Sequence, residues 1–177
     1  MNSDADDLVE LLSQDAIAER VSLLARRLVP TLTPDTVLVC MLLGGLWFAA
    51  DLARALAREG LDLPFDALWL SSYTDGRVSS GKCEVRAGLQ RSVKGQPVLL
   101  VDDVIDSGVS LSHAATLMQA AEAGSVRSVV FARKPWPRRR AVEPDDFAYD
   151  APARFLVGYG MDAAGLKRGR PGLWAAA

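Results

Sequence analysis

The chain has one histidine and only two cysteines, Cys40 and Cys83, among its 177 residues, and the cysteines show no metal-ligand spacing. Cys40 stands in an apolar run and reads as a reduced core thiol, while Cys83 stands in a polar, loop-like region. Both suit a reducing cytoplasm. An excess of basic charge is also missing: 20 Lys and Arg against 22 Asp and Glu leave a formal charge of −2. That balance argues against a nucleic-acid binder relying on broad electrostatics. No apolar run reaches the length of a membrane span. The opening residues 1–7 are acidic where a signal peptide would be basic. The expectation is a cytoplasmic protein with neither a nucleic-acid nor a membrane partner. There is no internal repeat, and no convincing Gly-x-x-x-x-Gly-Lys-Ser/Thr phosphate loop. The nearest stretch, Gly76 to Cys83, puts a cysteine where the metal-binding hydroxyl belongs, and no helical pattern follows it.

Half of the residues are hydrophobic, enough for a sizeable core, and the length predicts one domain over residues 1–177. Ile17, Val21, Leu24, Ala25 and Leu28 form one stripe at helical spacing, predicting a helix over 14–28 that Pro30 and Pro34 end. Residues 36–42 read as a buried strand, 46–58 as a helix ending at Gly60, and 64–70 as a second strand. Residues 71–89 read as a long mobile excursion or hairpin. Strands follow at 98–101, 125–131 and 155–158, with a helix over 111–123 and a Pro-, Arg- and Asp-rich stretch, mostly loop, over 134–150. Strands alternating with helices predict an α/β fold with a mostly parallel sheet covered on both faces. Ligands of such sheets sit beyond the carboxyl ends of the strands.

The most informative stretch is Val98-Leu-Leu-Val-Asp-Asp-Val-Ile-Asp-Ser-Gly-Val-Ser-Leu111. Four apolar residues without polar alternation read as a strand buried on both faces. It delivers Asp102 and Asp103, then Asp106, into a turn of Ser107, Gly108, Val109 and Ser110 that opens a helix. Helix-start N–H groups can hold a phosphate, and the acids can hold sugar hydroxyls or a metal. Three carboxylates at one strand end repel one another unless a ligand or cation accompanies them.

This stretch resembles the 5-phosphoribosyl-1-pyrophosphate (PRPP) signature of type I phosphoribosyltransferases. Other strand ends narrow the resemblance to the hypoxanthine-guanine (6-oxopurine) members. They are Cys40-Met-Leu-Leu-Gly-Gly-Leu-Trp-Phe-Ala-Ala-Asp-Leu52, Ser72-Tyr73, Phe131-Ala-Arg-Lys134, and Arg154-Phe-Leu-Val-Gly-Tyr-Gly-Met-Asp162. The resemblance extends from Val37 to Gly169. The implied fold adds a small hood, formed by the N-terminal segment and about residues 135–177, and a flexible catalytic loop over about 71–89.

The resemblance implies transfer of the phosphoribosyl group from PRPP to a 6-oxopurine, with Mg2+ as cofactor. Asp102 and Asp103 would hold the ribose hydroxyls, with the 5′-phosphate on the loop from Asp106 to Ser110. Asp106 would be the general base for purine N7. Leu43, Gly44, Gly45 and Arg168 would bind pyrophosphate, with a cis peptide at Leu42–Leu43. Many relatives carry lysine at Leu43, so binding here would rest on backbone N–H groups. Ser72 and Tyr73 would belong to the closing loop. Lys134 would read the exocyclic oxygen, with Arg133 a competing assignment. Phe155 would stack on the purine, Leu156 would present its backbone to the base edge, and Asp162, with Asp102 and Asp103, would serve the magnesium.

Rival readings are a xanthine or pyrimidine phosphoribosyltransferase and a non-catalytic PRPP- or nucleotide-sensing regulator. The lone His113 reads as structural, and the run Arg138 to Arg140 as a solvated loop. Trp47 and Trp69 read as packing or subunit-contact residues, and Trp174 as a cap on the base site. The family's habit suggests a homodimer or homotetramer formed near the helix after Gly44-Gly45.

Overall fold

In a computed structural model, the described residues are 8–75 and 78–176, and the side chains of 72–83 are outside the description. Residues 1–7 of the expected hood and 76–77 of the expected loop therefore lie outside the described residues. A six-stranded sheet runs in the order β4-β3-β2-β5-β6-β7. These strands are β2 (Val37–Leu42), β3 (Phe65–Asp75), β4 (Val78–Ala87), β5 (Pro97–Ile105), β6 (Ser125–Arg133) and β7 (Asp146–Asp150). All neighbours are parallel except β3 and β4, which pair as an antiparallel hairpin. The helices are α1 (Gln14–Leu28), α2 (Leu46–Arg58) and α3 (Val109–Ala120). A second, three-stranded sheet joins the chain ends: β1 (Leu8–Leu12) pairs β9 (Leu173–Ala176), which pairs β8 (Leu156–Val157), all antiparallel.

Strand alternation divides the core into two layers. Leu38 and Cys40 of β2 and Leu99 and Val101 of β5 pack with α1 and α2, whereas Val37, Val39, Met41, Val98 and Leu100 pack with α3. Both central strands are thus covered on both faces, which explains their unbroken apolar runs. The stripe expected on α1 is buried in full, and the Ser13 side chain caps that helix by accepting from the Ala16 N–H at 3.3 Å. Burial pushes the Cys40 thiol up to about 12, and the charges of Asp102 and Asp103 add to the shift, so it stays a protonated core group.

The stretch 134–150 is mostly loop, as expected, but its end forms the edge strand β7, parallel to β6. That strand is held by tertiary contacts, with Arg27 of α1 clasping the Asp146 carboxylate at 2.9 and 3.1 Å and the Ser128 N–H reaching Asp145 at 2.7 Å. The hairpin reading of 71–89 fits the β3–β4 pairing, but β3 extends through Asp75, well past residue 70. The strand expected at 155–158 is only β8, which leaves Phe155 outside it, and it is not the final one, since β9 follows it.

One buried acid has a structural task. Asp66 at the start of β3 accepts from the backbone N–H groups of Ala67, Gln90 and Arg91 at 2.7, 3.0 and 3.0 Å. It ties the return segment before β5 to the sheet, and these bonds offset its desolvation.

Candidate active site

From β2 the chain runs through α2 to β3 on one side, and from β5 through α3 to β6 on the other. The crevice between the carboxyl ends of β2 and β5 is therefore a topological switch point, the usual ligand position in such sheets. The glycine pair emerges there from β2 and the acids from β5. The Leu42–Leu43 peptide is cis, as the resemblance implied. Gly45 lies against the backbone of β2 and β5: a Cβ on it would stand 2.6 Å from the Met41 carbonyl oxygen and 3.0 Å from that of Val101. A Cβ on Gly44 would overlap the Asp103 carboxylate. Only glycines allow this approach of loop to acids, and the Leu43 side chain points to solvent, leaving the loop without a cation of its own.

Asp102 and Asp103 end the buried part of β5. Asp102 accepts from the Asp103 N–H at 2.9 Å, and Asp103 from the Val104 N–H at 2.8 Å. Burial holds the Asp102 carboxyl well above the usual carboxylate range, and the neighbouring charge of Asp103 pushes it further. Burial also raises Asp103, partly offset by hydrogen bonding and the charge of Arg168. Both residues are half-buried, and an adjacent pair of partly desolvated acids is a place where a cation is welcome. No group of three or more His, Cys, Asp or Glu able to hold a metal occurs among the described residues. The two hard carboxylates still fit Mg2+, which commonly takes one or two protein carboxylates and completes its shell with water and substrate oxygens.

Beyond β5, Gly108 takes φ +75° and turns the chain sharply into α3. A Cβ there would stand 2.5 Å from the Val142 carbonyl oxygen, so glycine is required twice over. Ser107, Val109 and Ser110 surround this turn, at a helix start whose N–H groups suit an anion. Asp106 is exposed beside the same turn, and its Oδ1 meets Lys134 Nζ at 3.0 Å. Both line a cleft of about 150 Å³ with Asp103, Phe155, Leu156 and Asp162. Phe155 is 56% exposed, which a core aromatic would not be. Arg133 is engaged elsewhere: it pairs with Asp150 at 2.8 Å and lies 4.0 Å from the Phe147 ring centroid.

Arg168 and Asp162 come together from an arm of turns after β8. Arg168 Nη2 lies 2.6 Å from Asp162 Oδ1, and its Nη1 donates to the Gly160 carbonyl at 2.5 Å. Ser72 and Tyr73 lie on β3, whose pairing with β2 ends at Trp69, so they continue beyond the same sheet edge; their side chains are outside the description.

Two expectations change here. Arg140 is not solvated: its side chain is only 9% exposed, its Nε donates to the Asp106 carbonyl at 2.7 Å, and its Nη2 donates to the Lys134 carbonyl. One guanidinium thus ties the loop after β5 to the end of β6, a role that the arginine-rich composition of its segment conceals. Trp174 does not line the cleft holding Asp106 and Lys134; it sits on β9 beneath the Arg170 guanidinium, 5.2 Å from its ring centroid. The half-buried His113 lies on α3.

Known proteins share both sequence and shape with this chain. The Listeria innocua bifunctional protein TilS/HprT is 37% identical over 162 residues, 91% of this chain and 24% of that protein, so the chain spans about a quarter of that relative's length. The Bacillus subtilis hypoxanthine-guanine phosphoribosyltransferase is 33% identical over 162 residues, covering 91% of this chain and 88% of the relative. The crystal structure of a Staphylococcus aureus hypoxanthine phosphoribosyltransferase superposes with a TM-score of 0.89 at 29% identity, covering 100% of this chain and 96% of that one. The family model described as the phosphoribosyl transferase domain matches residues 8–164. With the acids, the glycine pair and the anion-ready turn meeting at one switch point, the chain belongs to the phosphoribosyl transferase domain family.

Proposed function

We propose that this chain transfers the 5-phosphoribosyl group of PRPP to a 6-oxopurine, giving a nucleoside monophosphate and pyrophosphate, as a single catalytic domain in the cytoplasm. The observation that carries the choice of base is the Lys134–Asp106 pair, 3.0 Å apart beside an exposed Phe155. A donor and an acceptor stand side by side, matching the neighbouring 6-oxo acceptor and N7–H donor of an oxopurine. Adenine offers a 6-amino donor to the Lys134 ammonium, which has no acceptor for it. The family match and the likeness to named hypoxanthine-guanine phosphoribosyltransferases support the same reading.

Asp102 and Asp103 accept from the ribose hydroxyls, and the turn from Asp106 to Ser110 receives the 5′-phosphate on its N–H groups and hydroxyls. Leu43, Gly44 and Gly45 offer backbone to the pyrophosphate, and Arg168 adds the charge that Leu43 lacks. Phe155 stacks on the purine, and the Leu156 backbone meets its edge. As the purine nitrogen bonds to C1′, the bond from C1′ to the pyrophosphate oxygen breaks and the electron pair leaves with pyrophosphate. Asp106 accepts the N7 proton that the base then loses. Asp102, Asp103 and Asp162 would serve Mg2+, which when bound neutralises charge on the departing pyrophosphate. The hairpin segment with Ser72 and Tyr73 excludes water from the reacting sugar. The active form is a homodimer or homotetramer.

An ultraviolet assay with PRPP, magnesium and each of hypoxanthine, guanine, xanthine, adenine and uracil tests this reading. Turnover with oxopurines and none with adenine or uracil is expected; nucleotide binding without turnover of any base would leave the regulator reading. Lys134→Gln gives a sharper test, because its amide offers both a donor and an acceptor. kcat/KM for hypoxanthine should fall by about 10- to 100-fold, the worth of one charged hydrogen bond, and discrimination against adenine should narrow. An unchanged ratio between the two bases would shift the assignment to Arg133.

A further inference from the structure

The arm carrying Asp162 and Arg168 is anchored at a residue the reaction does not use. Tyr159 stands between Gly158 and Gly160, and Gly158, Tyr159 and Gly160 all have positive φ, +90°, +47° and +96°. A non-glycine residue in that region is uncommon and needs support from its surroundings. The Tyr159 ring is buried edge-on against Phe131, with centroids 4.8 Å apart, and Phe131 packs edge-on against Phe48 of α2 at 5.6 Å. Packing alone would be served equally by phenylalanine. The hydroxyl has a further partner: it donates to Asp51 Oδ2 at 2.9 Å, on the second turn of α2, while Arg54 holds Asp51 Oδ1 at 2.8 Å. Burial, then the Asp51 charge, pushes the hydroxyl's pKa up, so it remains a donor.

The next residue meets the glycine pair. A Cβ on Gly160 would overlap the Gly44 carbonyl oxygen, so Gly160 sits directly on the loop that opens α2. Gly160 also donates its N–H to the Arg168 carbonyl at 3.0 Å and accepts from Arg168 Nη1 at 2.5 Å. The chain of contacts thus runs from Asp51 through Tyr159 and Gly160 to Gly44 on one side and Arg168 on the other.

We infer that the Tyr159–Asp51 hydrogen bond is a positioning contact for the pyrophosphate end of PRPP, fixing Gly160 against Gly44 and so setting the distance between the glycine loop and Arg168. This rests on the phosphoribosyl-transfer reading, in which those two groups grip the same pyrophosphate. Tyr159 and Asp51 do not themselves line the cleft holding Asp106, Lys134 and Phe155, so the larger effect falls on the pyrophosphate end.

The test uses Tyr159→Phe in the full chain, which keeps the ring and removes the hydroxyl. KM for PRPP should rise by about tenfold, the scale of one hydrogen bond to a charged group, while KM for hypoxanthine stays within about twofold. Asp51→Ala should behave alike, Asp51→Asn should restore near-normal KM because it keeps an acceptor, and combining Tyr159→Phe with Asp51→Ala should add nothing. Amide hydrogen exchange at Gly160 should quicken in Tyr159→Phe, and calorimetric binding of magnesium pyrophosphate should weaken by the same tenfold. An unchanged KM for PRPP, or equal rises for PRPP and base, would overturn the inference. If the unaltered protein turned over no base, the reaction would fall. The contact would still be judged by Gly160 exchange and pyrophosphate binding, and no change in either would overturn it.

Discussion

Asp106→Asn should lower kcat by about 10²- to 10⁴-fold, the range of a lost general base, with little change in KM for either substrate. Asparagine keeps the size of the side chain and an oxygen that Lys134 can meet, so the 3.0 Å neighbour is not left without a partner. What disappears is the ability to take a proton from N7 as positive charge builds on the base. The Asp106 carbonyl stays fixed to Arg140 Nε at 2.7 Å, so the loop after β5 should keep its shape. Single-turnover and steady-state rates with hypoxanthine check this. An unaffected rate would remove Asp106 as the base, and a rise in KM for PRPP alone would make it a phosphate-loop residue only.

The second large effect has opposite signs in stability and function. Replacing both Asp102 and Asp103 by asparagine should lower kcat/KM for PRPP by about 10²- to 10⁴-fold, two charged hydrogen bonds of about 1.5–3 kcal/mol each. The same change should stabilise the free protein at neutral pH. Both carboxyls have folded pKa values raised above the ordinary range by burial, and Asp102 also by its neighbour's charge. The folded state therefore holds their protons more tightly than the unfolded chain does. Their contribution to stability falls as pH rises from the ordinary carboxylate range through the raised folded values. Removing both charges should raise the melting temperature by about 2–4 °C for each kcal/mol relieved and flatten its decline across that window. The backbone bonds survive, since asparagine can still accept from the N–H groups of residues 103 and 104. Melting curves of the free double variant from acid to neutral pH, with PRPP kinetics, check both halves. A lower melting temperature with unchanged kinetics would mean the pair is structural. Strain kept at a binding site at a cost in stability is a familiar trade in enzymes.

The elements legible in the sequence are those whose signals are local. The bounds of α1 follow from its apolar stripe and the breaker Pro30, and those of α2 from Gly44, Gly45 and Gly60. The central strands show as apolar runs because helices cover both their faces. The site acids, the glycine pair and the Leu42–Leu43 cis peptide are legible through motif resemblance, with Lys134 and Phe155 depending on the same register. Features without a local signal stay hidden. β7 reads Asp-Phe-Ala-Tyr-Asp and becomes a strand only because Arg27 and Ser128 hold its acidic start at the sheet edge. β1 and β9 pair residues from opposite chain ends, Leu8 with Ala176, which no window of sequence contains. Arg140 lies in a run of arginines and prolines that reads as solvent-facing, yet it is drawn in by the carbonyl of Asp106, 34 positions away, together with that of Lys134. Tyr159 carries no local signal between Phe155 and Asp162; its anchor, Asp51, is 108 positions away.

The most direct test of phosphoribosyl transfer is product identification by mass spectrometry after incubating the protein with PRPP, magnesium and hypoxanthine. The expected result is the nucleoside monophosphate with an equal amount of pyrophosphate, and about 10²-fold less of both, or lower still, from Asp106→Asn on the same timescale. Recovery of PRPP and hypoxanthine unchanged, or equal product from Asp106→Asn, would contradict it.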